Sequence, residues 1–149
     1  SLMGDGSWAT VATPYTEGTW VPAVSSTGGT NPTFTSIIGI YTRIGRVCFF
    51  SGHLTNTTGG TPGNGAQALS VSLPLAVSAS QPYGILPIGS LENGTDESVL
   101  FLHIVPSTSV AALYILTVAG VNVNVTPATN NSLNNANVRD LEFSHFYLV

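Results

Sequence analysis

Few side chains in this sequence could do chemistry. The three imidazoles, His53, His103 and His145, each fall in an apolar segment, and none stands at metal-ligand spacing from another His, Cys or carboxylate. They read as interior or interface histidines, and no metal and no cofactor is expected. Cys48 lies between Val47 and Phe49, which makes it a small core hydrophobe rather than a thiolate nucleophile, and a lone cysteine closes no internal disulfide. No Gly-x-Ser-x-Gly elbow marks a catalytic serine, and the glycine-rich run Gly59-Gly60-Thr-Pro-Gly63-Asn-Gly65 has no lysine to cradle a phosphate. The carboxylates Glu92, Asp96 and Glu97 share one loop around Asn93-Gly94. Glycoside cleavage uses two carboxyl groups about 5–10 Å apart, so this loop is the one place for an enzyme; its plainer reading is a solvated turn bent by Asn-Gly. Aromatic rings at loop tips offer a second chemistry. Trp8, Tyr15 and Tyr83 could stack on the C–H faces of sugars, with Asn93, Asp96 and Glu97 as hydrogen-bonding partners, or could pack in a core or an interface.

These residues must be held by strands. Gly, Ser, Thr and Asn supply 61 of the 149 residues, a composition of turns and extended chain, and no window carries a convincing helical period. Strict alternation marks Leu69-Ser-Val-Ser-Leu73 and Val121-Asn-Val-Asn-Val125, and Leu141, Phe143, His145, Tyr147 and Val149 share one face of the closing segment. The pattern predicts strands at 18–24, 39–44, 46–54, 67–73, 83–91, 99–105, 111–118, 121–125 and 140–149, with Pro74, Pro87 and Pro106 at strand ends or edges. With no helix available for a parallel crossover, the fold expected is all-β, an antiparallel jelly-roll-like sandwich. Residues 1–15 read as an arm or linker and 16–149 as a single domain.

Charge restricts the partners. The chain has three arginines, no lysine and a net charge of -4, with 7% charged residues. It cannot build the cationic stripe that nucleic acid requires. The apolar runs fall short of the ~20 residues of a membrane-spanning helix. A surface so poor in charge, together with a last strand apolar on both faces, predicts burial against further copies of the same chain.

Two segments carry a resemblance. Glu17-Gly-Thr-Trp-Val-Pro22 is followed by Gly39-Ile-Tyr-Thr-Arg-Ile-Gly-Arg-Val47 and Phe49-Phe-Ser-Gly-His-Leu54, then by Val71-Ser-Leu-Pro-Leu75. This order resembles the carboxy-terminal domains of bacteriophage tailspikes, tail fibres and head fibres, over residues 17–75, and Phe143-Ser-His-Phe-Tyr147 corresponds to that family's closing aromatic strand. The resemblance implies a homotrimer of β-sandwich domains on the virion, outside the host cell, that attaches to a host cell-surface polysaccharide or lipopolysaccharide without being an enzyme. Trp20, Tyr41, Arg43 and Gly45 fall on its scaffold motif. The alternatives are a purely structural trimerisation or capsid-decoration module and a glycan-cleaving enzyme.

Overall fold

A computed structural model describes residues 14–56, 61–64, 67–92, 97–119, 121–133 and 139–149. Ten strands follow in chain order: β1 (Tyr15–Thr19), β2 (Val24–Ser26), β3 (Ser36–Ile44), β4 (Val47–Asn56), β5 (Leu69–Ser72), β6 (Ile85–Glu92), β7 (Glu97–Ile104), β8 (Val110–Ala119), β9 (Asn122–Pro127) and β10 (Arg139–Leu148). A single 3-10 turn, Asn130–Leu133, is the only helical element among the described residues. All pairings between strands are antiparallel, in the order β1-β3-β4-β10-β6-β7-β8-β5-β2, with β9 continuing the edge of β8 beyond β5. The all-β antiparallel expectation holds. The strands form one continuous hydrogen-bonded order instead of the two separate sheets a sandwich implies.

That order must curl. Thr19 ends β1 and Val24 begins β2, so five Cα steps, at most about 18 Å, join the first and last strands of the path. Eight strand spacings in a flat sheet would set them about 38 Å apart. The expected strand at 18–24 is therefore two strands. Trp20 N–H still donates to the Gly39 carbonyl on the β3 side, and Pro22 has no N–H for a ladder. Ala23 N–H then donates to Ser72 Oγ at 2.9 Å, on the β5 side. The four-residue link carries the chain from one rim of the curl to the other.

Alternation fills the concave face. Cys48, Phe50 and Leu54 of β4 point inward with Leu141, Phe143 and Tyr147 of β10, Leu100, Leu102 and Ile104 of β7, and Leu69 and Val71 of β5. Each buried Leu or Phe contributes about 1.5–3 kcal/mol relative to exposure. Phe50 sits at the centre, edge-on to Tyr147 at 5.4 Å and against Phe143 at 6.1 Å, with Trp20 capping both from the β1–β2 link at 6.3 and 6.5 Å. Gly52 lies opposite Phe143 in the ladder, and the Phe143 ring occupies the space a Cβ would need. Arg139 also faces inward and is fully buried, and its guanidinium nitrogens meet no acceptor among the described residues.

Candidate functional site

A break in the sheet makes a concavity. β10 pairs with β6 only over Asp140–Phe143, and β6 then bulges between Pro87 and Gly89. Proline has no N–H to give a ladder, and Gly89 lacks the Cβ that would overlap the Glu142 carbonyl, so the two strands touch closely at Gly89 and diverge beyond it. Among the described residues, no strand pairs with the β6-facing edge of β10 in its second half. The segment before β6 folds over its far end: Ser78 N–H donates to the Leu148 carbonyl at 2.8 Å, and Leu148 N–H to Gln81 Oε1 at 2.7 Å.

The resulting cleft holds about 390 Å³. Leu102 and Ile104 form its floor and Leu86 its side, while Tyr83, Gln81, His145 and Phe146 stand around it; no lining residue is ionic at neutral pH. Tyr83 is 73% exposed, the posture of a stacking ring, and its ring lies 6.3 Å from His103. His145 packs beside Phe146, ring centroids 5.0 Å apart, and burial lowers its pKa below the ordinary 6.5, which keeps the imidazole neutral, one nitrogen donor and the other acceptor. Tyr147 closes the inner end. Its hydroxyl donates to the Leu75 carbonyl at 2.8 Å and accepts from Leu75 N–H at 2.9 Å, and burial pushes its pKa far above the usual phenol range.

The residues singled out from sequence are dispersed. Trp8, Asn93 and Asp96 lie outside the described residues. Tyr83 is in the cleft. Tyr15 stands exposed on edge strand β1, where its hydroxyl donates to Glu17 Oε2 at 2.6 Å; that bond and the Glu17 charge raise its pKa. Glu97 begins β7 directly opposite Glu92, at the end of the strand away from Tyr83's neighbour His103, six residues or about 20 Å along. The structure therefore does not bring Glu97 to Tyr83. Trp20 packs on the core, Tyr41 lies inward across from Phe50, and Arg43 Nε donates at 2.8 Å to the carbonyl of Gly45, whose φ of +60° suits glycine at the β3–β4 turn. His53 Nε2 meets Asp140 Oδ1 at 2.8 Å, and no group of three or more His, Cys, Asp and Glu able to hold a metal occurs among the described residues. Gln81, Leu86 and Phe146 were not singled out. Their signal was the Pro87-x-Gly89 interruption, which opens the sheet beside them.

A second feature adjoins the cleft. On the outer face of β3, β4 and β10, Ile38, Ile40, Phe49 and Phe146 keep between 46% and 58% of their surface in solvent, and the Phe49 and Phe146 rings meet at a tilt, centroids 5.8 Å apart. The strand register puts all four on the face opposite the core.

No family model and no curated protein matches the chain. Among solved structures, the crystal structure of Dettilon tailspike protein (gp208) superposes over 89% of this chain with a TM-score of 0.59 and 15% identity. At that identity the likeness is one of fold. The match covers 23% of the tailspike, so the chain spans less than a quarter of that protein's length.

Proposed function

We propose that this chain is a domain of a bacteriophage tailspike or fibre, exposed on the virion, that assembles as a homotrimer and holds host-surface carbohydrate in the cleft between β6 and β10. The observation that carries the reading is the cleft: an uncharged, apolar-floored recess with an exposed tyrosine at its mouth. Sugar rings offer apolar C–H faces and many hydroxyls but little charge, and the recess matches both. The fold likeness to a tailspike and the ordered motif of Trp20, Tyr41, Arg43 and Gly45 support the virion setting. We read the domain as non-enzymatic: Glu92 and Glu97 face each other across β6 and β7, but outside the cleft in which the sugar would be held.

Assembly is supported by the outer face. Burying the exposed halves of Ile38, Ile40, Phe49 and Phe146 would contribute about 3–6 kcal/mol per face before association costs. Threefold repetition would then multiply a weak sugar site through avidity. The test is a glycan array of bacterial polysaccharides and lipopolysaccharides, probed with the assembled protein and with Tyr83→Ala. Retention by at least one host glycan, lost in the variant, is the expected result. Silence across the array with intact assemblies would leave the purely structural module, and depolymerisation that disappears in a Glu92→Gln/Glu97→Gln variant would establish the enzyme.

A further inference from the structure

The outer surface of the curl carries a second apolar face. On β7, β8 and β9 the side chains of Val99, Phe101, Tyr114, Leu116, Val123 and Val125 fall on the side of the sheet opposite Leu100, Leu102 and Leu113, which face the core. Val99, Val123 and Val125 keep between 41% and 61% of their surface in solvent, and Phe101, Tyr114 and Leu116 are partly exposed. A polar strip divides this face from the one on β3, β4 and β10. The register runs Ile38, His53, Glu142, Ser90, Val99 straight across five strands, so the two apolar faces flank the strip at the same level along the strands. Edge strands that stay in water are normally defended by charge or by a bulge. Among the described residues no further strand pairs with the outer edge of β9, yet β8 and β9 contain no charged residue and their register is unbroken.

The exposed side chains leave roughly 400 Å² of apolar surface on either face, and a standard interface buries about 800 Å² per partner, somewhat more than half of it apolar. The two faces thus match each other in size, and each matches what one stable contact needs. A ring of three identical chains has no twofold axis, so every contact in it joins two different patches of the same chain. Building on the homotrimer proposed above, we propose that the β7–β8–β9 face of each chain is the dock for the β3–β4–β10 face of the next, with Ile38, Ile40 and Phe49 of one protomer against Leu116, Val123 and Val125 of its partner. Pairing either face with itself would give a dimer and leave the other patch in water; joining unlike faces covers both and closes the ring.

The experiment is sedimentation of the parent chain, of Ile38→Lys/Ile40→Lys on one face and of Val123→Lys/Val125→Lys on the other, separately and mixed in equal amounts. All four positions are exposed, and circular dichroism with urea unfolding checks that each variant is folded; should the second pair unfold, Val123→Lys alone takes its place. The parent is expected as a trimer and each variant alone as a monomer of 15.4 kDa. Mixed, the two variants still have one intact face of each kind between them, so a species of two chains, about 31 kDa, is expected to appear as concentration rises, and no ring. A folded β9 variant that stays trimeric overturns the proposal while leaving the homotrimer standing. So does a dimer formed by either variant alone, or a mixture that remains monomeric. A monomeric parent overturns the homotrimer and this contact with it.

Discussion

Tyr147→Phe isolates one hydroxyl that ties the last strand to the rest of the molecule. The ring stays against Phe50, so packing is unchanged, and what is lost is the pair of bonds to the Leu75 carbonyl and N–H at 2.8 and 2.9 Å. Each such bond contributes about 0.5–1.5 kcal/mol net, which puts the loss at about 2 kcal/mol. For a domain of this length that lowers Tm by about 4–8 °C. The effect has a pH signature. Because the folded tyrosine holds its proton well above the ordinary value of 10.0, its contribution is complete below pH 10 and disappears as pH rises beyond it, where only the unfolded chain ionises. The penalty of the variant should thus be constant from pH 7 to 9 and shrink in stronger alkali. The assay is urea and thermal unfolding at one fixed protein concentration, with the urea m-value as a check that the folded state is unchanged. A shift under 1 °C at pH 8 would refute the role given to this clamp.

Three further outcomes follow from the same geometry. Gly89→Ala places a Cβ on the Glu142 carbonyl oxygen, so β6 must leave β10; circular dichroism and urea titration should show a loss above about 3 kcal/mol or no folded protein. Arg139→Met removes a buried guanidinium that has no acceptor among the described residues and should raise stability by about 1–4 kcal/mol, read as a higher urea midpoint. His145 has a folded-state pKa below 6.5, so the unfolded chain binds its proton first and stability falls as pH drops below about 6.5; Tm measured from pH 7.5 to 5 should fall less in His145→Phe than in the parent.

Much of the fold was legible because alternation is a direct consequence of strand geometry. The patterns in 46–54, 99–105 and 140–149 each set an inward and an outward face, and the structure places Phe50, Leu102 and Phe143 accordingly. What alternation does not encode is which strands pair and how the sheet closes. The break at Trp20–Ala23 depends on Pro22 and on Ser72, a partner 49 residues from Ala23, and local pattern is blind to that distance. Tyr83 could be singled out as a loop-tip aromatic, yet its neighbours His145 and Phe146 come from a strand more than sixty residues further along. Glu97 and Tyr15 satisfied the same compositional test and lie elsewhere, because residue type alone says nothing about where a curled sheet brings its ends.

Identical chains are proposed to cover the outer face of β3, β4 and β10. Sedimentation equilibrium of the purified protein at micromolar concentration measures this directly. A single species of about 46 kDa, three times the 15.4 kDa chain, is the expected result. A species of 15.4 kDa that persists as concentration rises would contradict it.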